Sequence, residues 1–350
     1  MKTDHLLIIR FSAIGDVAML VPVVASLAQQ YPALRITVLS RPFARPLFEE
    51  LAPNVGFMEA DFNNEYQGMK GLNALYRRLT AKNFTHIADM HSILRSSYLR
   101  MRFKFDRYHV AHINKHRQER RMLTDANNKK MVQLPTSFQN YADVLASLGF
   151  PIKLEFRSLL PPEGGNLRLL SERVGEKKMF QQWIGIAPFA AHPGKIYPPA
   201  LMEKIIQILI KRHASCRIFL FGGGDNEQKQ MDTWERTYPE CINASRLLGC
   251  IQQELSLMSH LDVMISMDSA NMHLASLVAT PVVSIWGATH PYAGFMGWNQ
   301  DPDNAVQIDL PCRPCSIYGN KPCLRHDYAC MKNISPEHII DRVEIVLAKK

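Results

Sequence analysis

The chain has 350 residues, 47% hydrophobic and 21% charged, which is enough for two domains with separate cores and excludes a disordered or fibrous protein. No apolar run reaches the ~20 residues that span a bilayer, and Asp4, Arg10 and Asp16 interrupt the N-terminal apolar stretch, so the chain reads as cytosolic. A formal charge of +9 favours a polyanionic partner, and seven cysteines in a chain of this size read as reduced thiols, not a disulfide scaffold.

Taken in order, short β-rich runs alternate with helix-period segments, the pattern of parallel sheets built from βαβ units. The first half offers strands at LLIIRF, RITVLS, THIADM and RYHVAHI, with helices over residues 16–30 and 138–148. The stretch LLPPEGGNLRLL (159–170) carries paired prolines and glycines and marks a domain boundary, giving domains over 1–162 and 163–334. Alternation then restarts with strands at WIGIAPF, CRIFLFGGG, DVMISMD and PVVSIWG and with helices over about 199–212, from about 226 and from Ala270. Residues 335–350 form a terminal helix, with Ser335 as N-cap and Pro336 first, expected to pack back on the N-terminal domain. Two Rossmann-like doubly wound parallel-sheet domains would place a site in a central cleft, outside the carboxyl ends of their strands.

Four segments at strand ends carry chemistry. In IRFSAIGDVAML, Asp16 follows Gly15 at a helix start; it either caps that helix or takes a proton from an attacking hydroxyl. In APFAAHPGKIYPP, Ala190, Ala191 and Gly194 leave room for a ligand, and Lys195 supplies a point charge for phosphate oxygens or is a solvated loop lysine. FLFGGGDNEQ lacks the dinucleotide spacing; its Gly223 and Glu227 suit a ribose, or simply a tight turn. In ISMDSANMHLA, a buried strand ends at Asp268, and Ser269 and Ala270 open a helix whose free N–H groups suit a diphosphate. His273 is on its first turn, as a site residue or a core histidine.

Those elements in that order resemble family nine of the glycosyltransferases, the heptosyltransferases, over nearly the whole chain. The resemblance rests on SAIGDVAMLVP, the GK-I-Y-P run, the glycine loop with its acid, and DSANMHLA followed by TPVVSIWGATHP. It implies a GT-B fold and an inverting transfer of heptose from ADP-heptose to a lipopolysaccharide inner-core acceptor, with Asp16 as base. Donor binding is expected from Ala190, Ala191, Lys195, Gly223, Glu227, Leu248, Asp268, Ser269, Ala270 and His273, and acceptor binding from Ser12, Gly15 and Arg95. Ala270 replaces the family's usual glycine, and Arg10 stands where some members have lysine. No cofactor or divalent metal is required, because lysine and helix N–H groups hold the leaving diphosphate.

Residues 95–130 hold eleven Lys/Arg against three acids, a solvated face or a surface for a lipid-linked anionic acceptor and anionic headgroups at the inner membrane. No nucleic-acid motif accompanies it. Cys312, Cys315, Cys323 and Cys330 begin as C-x2-C but lack a matching second pair, so packing thiols are preferred to structural zinc; Cys216, Cys241 and Cys250 read as core. Rival readings are a nucleotide-sugar epimerase of the same architecture and a nucleic-acid-binding protein using the basic face.

Overall fold

The computed structural model describes residues 4–349, which divide into two compact units. The first comprises residues up to Lys115 together with Pro135–Phe156; the second comprises His116–Leu134 and everything from Arg157 onward.

In the first unit β1 (His5–Ile9), β2 (Arg35–Ser40), β3 (Val55–Glu59), β4 (His86–Asp89) and β5 (His109–His112) form a sheet ordered β3-β2-β1-β4-β5, every pair parallel. In the second, β6 (Trp183–Ala187), β7 (Arg217–Leu220), β8 (Cys241–Asn243), β9 (Val263–Met267), β10 (Val282–Ile285) and β11 (Ala305–Val306) are ordered β11-β10-β9-β6-β7-β8, also all parallel. Counted from its own first strand, the first sheet runs 3-2-1-4-5 and the second 3-2-1-4-5-6, the doubly wound order. The order reverses between β1 and β4 in one unit and between β6 and β9 in the other, so the loops leaving those four strands diverge and leave a crevice at each sheet.

The central strands are buried on both faces, β1, β6 and β9 at every residue, as apolar runs without alternation require. Helices Pro199–Arg212 and Pro336–Leu347 start with proline, whose missing N–H costs nothing at that position. Ser335 Oγ accepts from His338 N–H at 3.2 Å, capping the latter as expected.

Four expectations are corrected. The terminal helix belongs to the second unit: Ile339, Ile340, Val343 and Val346 are buried in the same core as Ile205, Ile206, Ile265 and Ile285. The boundary falls at Phe156, ahead of the proline–glycine stretch. The basic tract 95–130 is not one face. Its second part clusters with the second unit, where Lys129 Nζ donates to the Pro311 carbonyl at 3.1 Å, Leu134 N–H to that of Tyr292 at 2.9 Å, and Arg120 to Tyr318 Oη at 2.7 Å. Cys216 and Cys241 are buried, and burial pushes their thiols up to about 11 and about 12, but Cys250 is exposed.

Candidate active site

At the first switch point, β1 ends at Ile9 and the chain turns through Ser12 into the short helix Ile14–Ala18. Asp16 sits at the third helical position, where its carboxylate complements the helix dipole. Its Oδ2 accepts from Ala13 N–H at 3.2 Å and pairs with Arg10 Nη2 at 2.7 Å. Both contacts fall on one oxygen of a side chain 29% exposed, which leaves Oδ1 for an incoming hydroxyl. Capping and the Arg10 ion pair therefore both fall on Oδ2.

Arg10, which sequence reasoning noted only as a departure, organises this turn. It is buried, donates to the Ser12 carbonyl at 2.9 Å and the Met90 carbonyl at 2.6 Å, and lies 5.8 Å from the Tyr141 ring centroid. Tyr141 Oη in turn donates to the Asp16 carbonyl at 3.2 Å. Gly15, whose carbonyl accepts from Met19 N–H, lies within the same turn as Ser12 and Asp16.

The neighbouring strand β4 delivers residues not foreseen. Asp89 is fully buried, accepts from the N–H groups of His91 and Ser92 at 3.0 and 2.8 Å, and pairs with Arg100 at 3.0 Å. His91 is held down to about 3 by burial, then by the charges of Arg10 and Lys115. Its Nδ1 accepts from Phe11 N–H at 3.3 Å, which assigns the ring proton of the neutral form to Nε2. Arg95 is exposed beyond this strand, 4.8 Å over the Phe62 ring.

At the second unit's switch point, the loops after β6 and β9 bring together Lys195, Asp268, Ser269 and Ala270. Lys195 Nζ stands 3.0 Å from Asp268 Oδ2, with the lysine side chain 16% exposed and the carboxylate 4%. That oxygen accepts no directed hydrogen bond, so the contact is one of charge, and the three-proton ammonium retains donors for a ligand. Helix Ala270–Leu277 begins beside it; Ser269 makes no side-chain cap, its hydroxyl lying 3.4 Å from Ser266 Oγ. Its first N–H groups are therefore not consumed by a cap, which suits an anion. His273 is buried one turn in.

The cysteine segment builds the floor under Lys195. Gly319 has φ +75°, and a Cβ there would lie 2.5 and 2.6 Å from Cγ and Cδ of Lys195, so the lysine stem runs across bare backbone. Gly319 N–H donates to Ser316 Oγ at 2.9 Å, and Ser316 N–H to the Ala288 carbonyl at 3.2 Å. Buried Arg313 donates to the carbonyls of Gly287, Ile308, Trp286 and Thr289, tying this segment to the exit of β10. Cys312, Cys315, Cys323 and Cys330 line one pocket there, yet among the described residues no three His, Cys, Asp or Glu are gathered to hold a metal.

At the next strand, β7, Glu227 serves the turn: its Oε2 accepts from Gly223 N–H at 2.8 Å and Gly224 N–H at 3.4 Å. Gly222 N–H donates to Ser245 Oγ at 2.8 Å, joining this loop to the turn that ends at buried Leu248. Ala190 is half-buried against the second core and Ala191 is exposed. Gly223 and Glu227 thus follow β7 and Leu248 follows β8, whereas Lys195 and Asp268 follow β6 and β9.

Two doubly wound units, each with charged groups gathered where its strand order reverses, place the chain among α/β proteins whose sites lie at such switch points. Residues 72–322 match glycosyltransferase family 9 (heptosyltransferase), and the chain belongs to that family. It is 22% identical over 336 residues to lipooligosaccharide heptosyltransferase 2 of Campylobacter jejuni, covering 95% of each. The fold is that of GT-B heptosyltransferase structures. It is similar to the glycosyltransferase family 9 structure from Veillonella parvula (TM-score 0.73, 17% identity, 100% of this chain and 99% of that one). It is also similar to E. coli heptosyltransferase WaaC with ADP (TM-score 0.68, 13% identity, 98% and 99%). The protein is a glycosyltransferase. Among the described residues no helix is long and apolar enough to cross a membrane.

Proposed function

We propose that this glycosyltransferase moves heptose, with inversion, from ADP-heptose to a lipid-linked lipopolysaccharide inner-core acceptor, working peripherally at the cytoplasmic face of the inner membrane. The family match and the curated heptosyltransferase relatives support the sugar and the acceptor class; WaaC, whose structure holds ADP, supports the nucleotide.

The observation that carries the donor assignment is Lys195 fixed 3.0 Å from Asp268 beside the uncapped start of helix Ala270–Leu277. A diphosphate placed there meets an ammonium and free N–H groups, which stabilise the negative charge that grows on it as the glycosidic bond breaks. Gly223 and Glu227 are assigned to the ribose side of the same donor, Glu227 through Oε1. Lysine and backbone donors suffice for this leaving group, and no cofactor is invoked. In the transfer, an acceptor hydroxyl oxygen bonds the anomeric carbon as the bond from that carbon to the diphosphate oxygen breaks. The electron pair leaves with the diphosphate, and the hydroxyl proton passes to Asp16 Oδ1. Arg10 holds Oδ2 and keeps Oδ1 aimed; Ser12, Gly15 and Arg95 are assigned to the acceptor's side.

The test is ADP release from ADP-heptose in the presence of acceptor, paired with thermal unfolding against ADP, UDP and GDP. ADP alone should raise the midpoint, since a ligand at ~100 times its Kd stabilises by about 2.7 kcal/mol. Asp16→Asn should lower kcat by at least ~100-fold and keep the ADP-induced rise. Loss of both would make Asp16 structural, and stabilisation by UDP or GDP instead of ADP would remove ADP-heptose as donor.

A further inference from the structure

Helix Leu94–Phe105 in the first unit has two apolar faces where a surface helix needs one. Ser96, Leu99 and Phe103 are buried against the sheet. Leu94, Met101 and Phe105 are turned out, at 89%, 60% and 84% exposure. At 3.6 residues per turn these three fall within an arc of roughly 40°, opposite the buried face. Single exposed apolar residues are ordinary; three in register along one helix are not.

The stripe is bordered by positive charge. Arg95 and Arg102 lie along one side and Lys104 along the other, with exposed Arg107 just past the helix end. The guanidinium of Arg102 is held in place by Asn73 Oδ1 at 2.9 Å, and the same oxygen accepts from Tyr98 Oη at 2.6 Å. Asn73 belongs to the adjacent helix Gly68–Thr80, whose first turn carries Met69, 57% exposed, and the exposed Lys70. Arg100, by contrast, is turned inward to the buried Asp89 and takes no part.

We propose that this face is a membrane-docking surface, inserting Leu94, Met101 and Phe105 at the acyl boundary of an anionic bilayer while Arg95, Arg102, Lys104 and Arg107 meet its headgroups. An apolar stripe flanked by Lys and Arg is the pattern of a helix that lies in a bilayer interface. A second copy of the chain, pairing the same face, would bring these cations against one another. A nucleic acid would satisfy the charge but leave Leu94 and Met101 with no purpose. As the route to a lipid-linked acceptor the inference rests on the proposed function; the surface itself rests on exposure and charge.

Vesicle sedimentation without donor or acceptor tests it. The wild type should pellet with phosphatidylcholine vesicles containing phosphatidylglycerol and far less with phosphatidylcholine alone. The triple variant Leu94→Ser, Met101→Ser, Phe105→Ser replaces exposed side chains only, so its unfolding midpoint should not fall, but its binding to anionic vesicles should drop about tenfold. Lys104→Glu with Arg107→Glu should erase the preference for anionic lipid. Fluorescence of Phe105→Trp, compared with the wild type, should be quenched by lipids brominated along the acyl chain. Equal vesicle binding by wild type and triple variant, absence of that quenching, or tighter binding of an oligonucleotide than of vesicles at the same salt would each overturn it. So would dimerisation abolished by the triple variant. Transfer to an acceptor stripped of its lipid anchor is unaffected by the triple variant if docking alone is lost, and its absence in the wild type would count against the proposed function instead.

Discussion

Arg10 and Asp16 form a single working group: the guanidinium occupies Oδ2 at 2.7 Å and is itself anchored on the carbonyls of Ser12 and Met90. A carboxylate so held loses rotational freedom without losing its second oxygen, which is what proton transfer from a placed hydroxyl requires. Removing Arg10 has two separable consequences. Two carbonyls, one of them buried, lose a charged donor, at a cost of about 1–3 kcal/mol, and Asp16 is free to turn. Arg10→Ala should therefore lower the unfolding midpoint and reduce kcat by more than about tenfold, while the rise in midpoint with ADP expected of the proposed Lys195 donor site should persist. Arg10→Lys, which keeps the charge but not the fork, should fall between the two. A kcat in Arg10→Ala equal to that of the wild type would show that Asp16 needs no fixing.

Between elements, Lys195 owes its position to a segment more than a hundred residues downstream, because its stem crosses Gly319. Gly319→Ala would put a methyl group where Cγ and Cδ of Lys195 now lie and would also strain a positive φ, at about 1 kcal/mol. The expected outcome is ADP binding weakened roughly tenfold, with a modest fall in midpoint. Loss of stability alone would be unremarkable, so the deciding measurement is the double variant: on a Lys195→Ala background, Gly319→Ala should weaken ADP no further. Additive losses would mean that Gly319 acts elsewhere. This coupling was not legible in the sequence, where the cysteine segment shows only its thiols. Arg10 was equally hidden, since its partner Met90 lies 80 positions away. What was legible followed from local pattern. The eight runs quoted are β1, β2, β4, β5, β6, β7, β9 and β10, all but the edge strand β5 largely buried and so showing as apolar runs, and the Gly15–Asp16 turn announced itself because it directly follows one. The unannounced strands, β3, β8 and β11, lie at sheet edges, and the last two have only three and two residues in which to show a period. The inward turn of Arg100 and the outward turn of Phe105 were likewise invisible inside a tract that read as uniformly basic.

For the molecule as a whole, acid should act unequally on the two units. In the first, His5, His86, His91 and His112 are all held below the ordinary histidine value chiefly by burial, His91 down to about 3. In the second, burial holds His290 down to about 4, but it also raises Glu254 to about 7. The signs are opposite. A histidine with a depressed value takes up its proton only on unfolding, so its contribution is present above pH ~6.5 and is lost as pH falls from there toward its folded value. A carboxyl with a raised value keeps its proton on folding, so its contribution is present below ~4.5 and is lost as pH rises toward 7. Between pH 4.5 and 6.5 the four histidines of the first unit add, whereas His290 and Glu254 in the second oppose each other. Acidification from pH 7 to 5 should thus open the first unit ahead of the second, seen as earlier loss of amide-exchange protection in β1 and β4 than in β6 and β9. His91→Gln, which keeps a polar group but cannot take up the proton, should blunt that loss in the first unit. Equal loss in both units, or first loss around β6 and β9, would show that the buried histidines do not set the acid response.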